Sequence, residues 1–182
     1  PSSAAFFTAL TILNSNSKLT INKVGLNPRR IGFYKLLIKH GAKIKFKNIR
    51  KINNELVGNI EVYSSKIRSI KASKEYYTSC TDEYPILFVI AALTNGTSIF
   101  RGIKDLANKE SNRILEMKKV LSHLGVKCKS NKNEMKIFGL KKINRNKKKI
   151  MVPNLGDHRI CMSTVILSLI TGVEAEIKNF ET

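Results

Sequence analysis

Acidic residues are scarce in this 182-residue chain, where 13 Asp and Glu stand against 33 Lys and Arg for a formal charge of +20. Aspartate is the rarest acid, present only at positions 82, 105 and 157. Cysteine is equally sparse. Cys80, Cys128 and Cys161 are an odd number without paired spacing, each in or beside an apolar segment. That pattern excludes a disulfide framework and a zinc site, and it fits a reducing cytoplasm. No run of 18 apolar residues occurs, and the opening "PSSAAFFTALTIL" lacks the basic start of a signal peptide, so no membrane span is expected. Patterns of the GxGxxG, P-loop, HExxH and CxxC type are missing as well. The chain opens on Pro1 instead of methionine, which leads us to expect further residues upstream.

What is present describes a globular protein. An apolar content of 42% in 182 residues is enough for one good core, and a single domain is expected. The basic excess is mostly lysine, 25 against 8 arginines, and it accompanies 17 Asn and 22 Ile. This mixture is what A/T-rich codons produce. The other reading is a surface for a polyanion, since clustered bases release counterions on meeting phosphates. The lysines are scattered, however, and aromatic side chains do not alternate with them as stacking platforms.

The chain repeats itself. "KLLIKHGAKIK" at 35–45 matches "KVLSHLGVKCK" at 119–129, an offset of 84 that aligns Gly41 with Gly125. Both glycines read as left-handed residues ending a helix before a strand. Upstream of each lies an apolar helix, a polar turn and a strand, and Ile21, Phe100 and Ile177 correspond at offsets of 79 and 77. The unit is thus helix, strand, amphipathic helix and two strands, and about two and a half copies are present, over roughly 1–75, 76–150 and 151–182. The first helix of each copy is apolar nearly all round, so these helices are expected to meet in a shared α/β core. The segments "KIRSIKASKEYYTSC" and "LKKINRNKKKIMVPN" read as polar or basic connections beside a site. His40 and His123, near the ends of the two matching helices, read as residues interacting with a helix C-terminus.

Three charged groups carry the chemistry. Asp82 precedes Glu83, Tyr84 and Pro85, a pattern that reads as a capped helix with proline in its first turn. Lys109, Glu110 and Arg113 in "KESNR" are spaced to share one face at the front of a helix, where an acid is favoured by the macrodipole. Asp157 in "GDHR" reads as the next cap, and Arg159 behind it must either reach solvent or meet an anion. Helix N-termini offer free N–H groups, so three such starts side by side would hold an anion next to carboxylates.

In this order, "DEYPIL", "KESNR" and "DHR" resemble the EPSP synthase (3-phosphoshikimate 1-carboxyvinyltransferase) family. "PSSAAFF" and "NPRRIGFYKLLIKHGAKI" are similar too, so the likeness runs through essentially the whole chain. The resemblance implies βαβαββ units with buried helices, as in the inside-out α/β barrel domains of enolpyruvyl transferases. It also implies transfer of an enolpyruvyl group from phosphoenolpyruvate to shikimate 3-phosphate without metal or organic cofactor. By the same likeness Asp82 is the proton acceptor and Glu110 the proton donor. Asp82, Asp105 and Lys109 would contact shikimate 3-phosphate, and Asp105 departs from the asparagine familiar there in some members. Arg113 and Arg159 would hold phosphoenolpyruvate, with His158 adjacent.

Other motifs of the family have no counterpart here: the Lys-Ser substrate motif, the Gly-rich inhibitor-sensitive loop, the Ser-Ser-Gln motif and a lysine near the C-terminus. We therefore expect this chain to be most of one domain of a two-domain enzyme, inactive alone, otherwise monomeric, with only one face of the cleft. The alternatives are the sister transferase acting on a UDP-amino sugar, an inactive structural relative, or a basic nucleic-acid-binding module.

Overall fold

The computed structural model describes residues 1–142, 149–152 and 156–178. It contains α1 (Ser2–Leu13), β1 (Lys18–Gly25), α2 (Gly32–Lys39), β2 (Lys43–Ile52) and β3 (Glu55–Tyr63). A second set follows as β4 (Lys71–Ala72), α3 (Tyr84–Ala92), β5 (Thr97–Arg101), α4 (Arg113–His123), β6 (Lys127–Ser130) and β7 (Glu134–Phe138). Then come β8 (Ile150–Val152), α5 (His158–Thr171) and β9 (Ala175–Ile177).

Strand pairing shows the repeat directly. The first sheet runs β1-β3-β2, and the second runs β4-β5-β7-β6, so β5, β7 and β6 repeat the order of β1, β3 and β2. β4 lies parallel to β5, and β8 lies parallel to β9 in the same way. The complete unit is therefore β4-α3-β5-α4-β6-β7, a βαβαββ arrangement, and strand pairing puts the seams at Lys71 and Ile150. Two connections are corrected by this. The polar segment 66–80 contains β4 and a 3-10 turn at Lys74–Ser79, and the basic segment 140–154 contains β8. Residues 143–148 and 153–154 of that basic segment lie outside the described residues.

The buried helices are what the apolar composition demands. All nine residues of α3 are buried, and it packs against α1, α4 and α5. Phe88 and Phe100 meet edge to face with centroids 4.9 Å apart, and Tyr84 closes on both. Burying each such ring contributes about 2–3 kcal/mol. Helices α2 and α4 are amphipathic and keep lysines at the surface. Gly41 and Gly125 both have positive φ, +106° and +76°, and turn the chain from helix to strand. No helix among the described residues is long and apolar enough to cross a membrane.

His40 does more than interact with a helix dipole. It is buried, its Nδ1 bonds the Leu36 carbonyl at 2.8 Å, and its Nε2 accepts the Lys71 N–H at 3.0 Å. Accepting at Nε2 requires the proton at Nδ1, so the neutral ring ties the end of α2 to β4.

Candidate active site

Because α3, α4 and α5 pack on one another, the segments leading into them meet at one edge of the core. Those segments carry Asp82, Glu110 to Arg113, and Asp157 to Arg159. Arg113 is the centre. It opens α4, is 1% exposed, and is the largest fully buried side chain. Its Nε donates to Oδ2 of Asp157 at 2.9 Å, and its Nη2 donates to Oδ1 of Asp157 at 3.3 Å and to Oε2 of Glu110 at 2.7 Å. Nη1 faces Oδ1 of Asp82 at 3.6 Å, too long for a hydrogen bond, and has no hydrogen-bond partner among the described residues. The other carboxylate oxygen of Asp82 accepts from Nη2 of Arg159 at 3.4 Å.

Asp157 holds this arrangement from behind. Its side chain is fully buried; it accepts from the Ser111 hydroxyl at 2.8 Å and caps α5 by accepting the Arg159 N–H at 3.0 Å. Burial works to raise its carboxyl, but the hydrogen bonds from Arg113 and Ser111, the Arg113 charge and the Arg159 N–H outweigh burial and hold it below the ordinary range. One carboxylate thus orients the Arg113 guanidinium and starts the helix that carries Arg159. Glu83, beside Asp82, behaves oppositely: it is 4% exposed, and burial pushes its carboxyl up, with Ser2 and Arg159 opposing and Asp82 adding.

Several local readings change. Asp82 is not the cap of α3; it lies in a 3-10 turn, Thr81–Glu83, and its carboxylate turns to the arginines. The proline reading holds, with Pro85 in the first turn of α3. Glu110 is not in a first helical turn either, because α4 begins at Arg113 and its cap is Asn112, which accepts from the Leu115 N–H. The macrodipole argument for Glu110 therefore fails, although the spacing of three to Arg113 still gives the ion pair. Lys109 does not share that face; it is exposed in extended backbone and makes no ion pair among the described residues. Asp105 lies in the 3-10 turn Lys104–Asn108 and lines a cleft of about 650 Å³ with Asn108, Asn112 and Lys132, outside the arginine cluster. His158 is exposed at the start of α5.

The sequence reading took Asp157 only as a cap and did not single out Ser111 or Glu83 for chemistry. A buried arginine demands a buried acid, but nothing local in "KESNR" says that the acid lies 44 residues on. Among the described residues no group of three His, Cys, Asp or Glu is arranged to hold a metal ion. The cluster can instead bind an oxyanion through Arg113 and Arg159, and it offers two solvent-reachable carboxyl groups, Asp82 and Glu110.

The family model described as EPSP synthase (3-phosphoshikimate 1-carboxyvinyltransferase) matches residues 1–182. The 3-phosphoshikimate 1-carboxyvinyltransferase of Petrotoga mobilis is 36% identical over 180 residues, covering 99% of this chain and 41% of its own length. That of Aquifex aeolicus is 37% identical, covering 97% of this chain and 40% of its own length. A solved EPSP synthase from Acinetobacter baumannii superposes with a TM-score of 0.92 at 29% identity, over 100% of this chain and 42% of that one. The enolpyruvyl transferase NikO from Streptomyces tendae shares the fold, with a TM-score of 0.70 at 11% identity, over 98% of this chain and 38% of that one. The chain spans about two fifths of the length of the curated relatives it matches.

Proposed function

Because the chain belongs to the EPSP synthase family, we propose that it supplies one wall of a 3-phosphoshikimate 1-carboxyvinyltransferase site. In that reaction the 5-hydroxyl of shikimate 3-phosphate attacks C2 of phosphoenolpyruvate while C3 takes a proton. The tetrahedral intermediate then returns that proton balance by losing one from C3 as phosphate leaves, which yields the enolpyruvyl ether. Two proton-transfer groups and a strong anion holder are needed.

The observation that carries this reading is the meeting of Asp82 and Glu110 on the buried guanidinium of Arg113, with Arg159 on the far side of Asp82. Arginine binds carboxylate and phosphate with two-pronged geometry, and the Nη1 of Arg113 has N–H groups to spare. Arg113 and Arg159 are the phosphoenolpyruvate holders in this account. Asp82 is the proton acceptor and Glu110 the donor, and the half-exposed side chain of Glu110 can recover a proton from water. Asp82 together with the outer residues Asp105 and Lys109 would contact shikimate 3-phosphate, and His158 would stand beside the phosphoenolpyruvate site.

A substrate cleft of this kind closes between two bodies, and the chain spans about two fifths of its relatives' length. The proposed activity therefore belongs to this chain joined to the portion of the family's length that it does not span. The test is phosphate release by such a joined protein. Release is expected with phosphoenolpyruvate and shikimate 3-phosphate and not with a UDP-amino sugar as acceptor. The opposite acceptor preference, or no release with either, would overturn the proposal.

A further inference from the structure

The guanidinium of Arg113 has two edges, and they are occupied very differently. The Nε and Nη2 edge is fixed by Asp157, whose side chain is fully buried and takes four hydrogen bonds. The outer fork, Nη1 with Nη2, is where a two-oxygen anion would sit. One corner of that fork is held by Glu110 at 2.7 Å, and the other faces Asp82 at 3.6 Å. Glu110 differs from Asp157 in every respect that resists displacement. It is 48% exposed, lies in the irregular segment ahead of α4, and makes only this ion pair among the described residues. The charges are also closed on themselves. Asp82, Glu110 and Asp157 touch Arg113 and Arg159, so three carboxylates face two guanidinium groups before any ligand arrives.

We infer that Glu110 is a displaceable self-ligand of Arg113: it occupies the outer fork until an anion takes its place, and it is then released from the arginine with its carboxyl free. The inference rests on reading Arg113 as an anion-binding residue of the proposed site. It links binding to chemistry, because the group assigned as proton donor leaves its ion pair only when the anion is seated. A site whose competent state is only partly populated binds with an affinity reduced by that fraction. Removing the self-ligand should therefore tighten binding.

The test titrates this chain, joined to the portion of the family's length that it does not span, with phosphoenolpyruvate, following the Arg113 side-chain N–H resonances and the Glu110 carboxyl carbon. Glu110→Gln is expected to tighten binding about fivefold, the upper range for a partly exposed ion pair. In the wild type the Glu110 carboxyl signal should move with the same saturation as Arg113. Glu116→Gln removes the same charge from a residue paired with Lys119 instead, and it should leave the affinity within about twofold. Unchanged or weaker binding in Glu110→Gln, or equal tightening in Glu116→Gln, overturns the self-ligand. Should neither the wild type nor Glu110→Gln bind phosphoenolpyruvate, the anion-site reading itself falls and takes the inference with it. Detectable binding in Glu110→Gln alone supports it.

Discussion

Arg113 and Asp157 are 44 residues apart in sequence, yet they form a buried ion pair at 2.9 Å that joins the start of α4 to the start of α5. Burying a charged pair is costly unless the geometry is good and the remaining donors and acceptors find partners. Asp157 meets that condition with Ser111 and the Arg159 N–H, and Arg113 meets it on every nitrogen except Nη1.

Asp157→Ala should therefore destabilise the chain by about 3–5 kcal/mol, the cost of leaving one buried charge alone. The carboxyl is held below its ordinary 3.8, so its contribution is complete above that pH and is lost as pH falls through the folded value. Urea unfolding at pH 7 and pH 3 checks both statements: the deficit of the variant should shrink in acid. A variant as stable as wild type at pH 7 would show that the pair does not bind the two helices together.

Glu83 makes the opposite prediction. Its carboxyl is pushed above the ordinary 4.5 by burial, so the folded state prefers it neutral, and stability declines as pH rises through the folded value. Glu83→Gln removes the ionisable group while keeping its size. The variant should be more stable than wild type at pH 7.5, and the gain should vanish below about pH 4.5, where wild-type Glu83 is neutral in both states. Parallel stability curves for the two proteins across this range would refute the assignment.

His40 tests the seam between the first two repeat units. His40→Phe keeps a ring but deletes both hydrogen bonds, to the Leu36 carbonyl and from the Lys71 N–H. The expected loss is about 1–3 kcal/mol, since Lys71 N–H is left without its acceptor. Amide hydrogen exchange at Lys71 should rise together with it. Protection unchanged at Lys71 would mean that the bond does not hold the seam.

How much of this was readable beforehand depended on whether the cause was local. The repeat was legible because buried first helices need apolar residues all round, and α3, from Tyr84 to Ala92, carries no charge. The Gly41 and Gly125 turns were legible because a positive φ selects glycine. Asp82 and Glu110 both lie against arginines, but the helix-start reasons read for them in the sequence fail. Each sits ahead of its helix; a long-range contact with Arg113 fixes Asp82, and the spacing of three residues pairs Glu110 with the same arginine. β4 was missed because two residues give no alternation to read, and its pairing with β5 is a long-range event. Asp157 as the partner of Arg113 was missed for the same reason, whereas its capping role, set by the N–H two residues on, was found.

In the proposed function Asp82 and Glu110 move protons at a site whose anion is held by Arg113 and Arg159. The most direct measurement is phosphate release with phosphoenolpyruvate and shikimate 3-phosphate by the joined protein, comparing wild type with Asp82→Asn and Glu110→Gln. Each variant should lose at least about a hundredfold in kcat, the lower bound for removing a general acid or base. KM for phosphoenolpyruvate should not rise, since both arginines remain. If either variant turns over within a few-fold of wild type, that residue does not carry a proton in this reaction and the account is wrong.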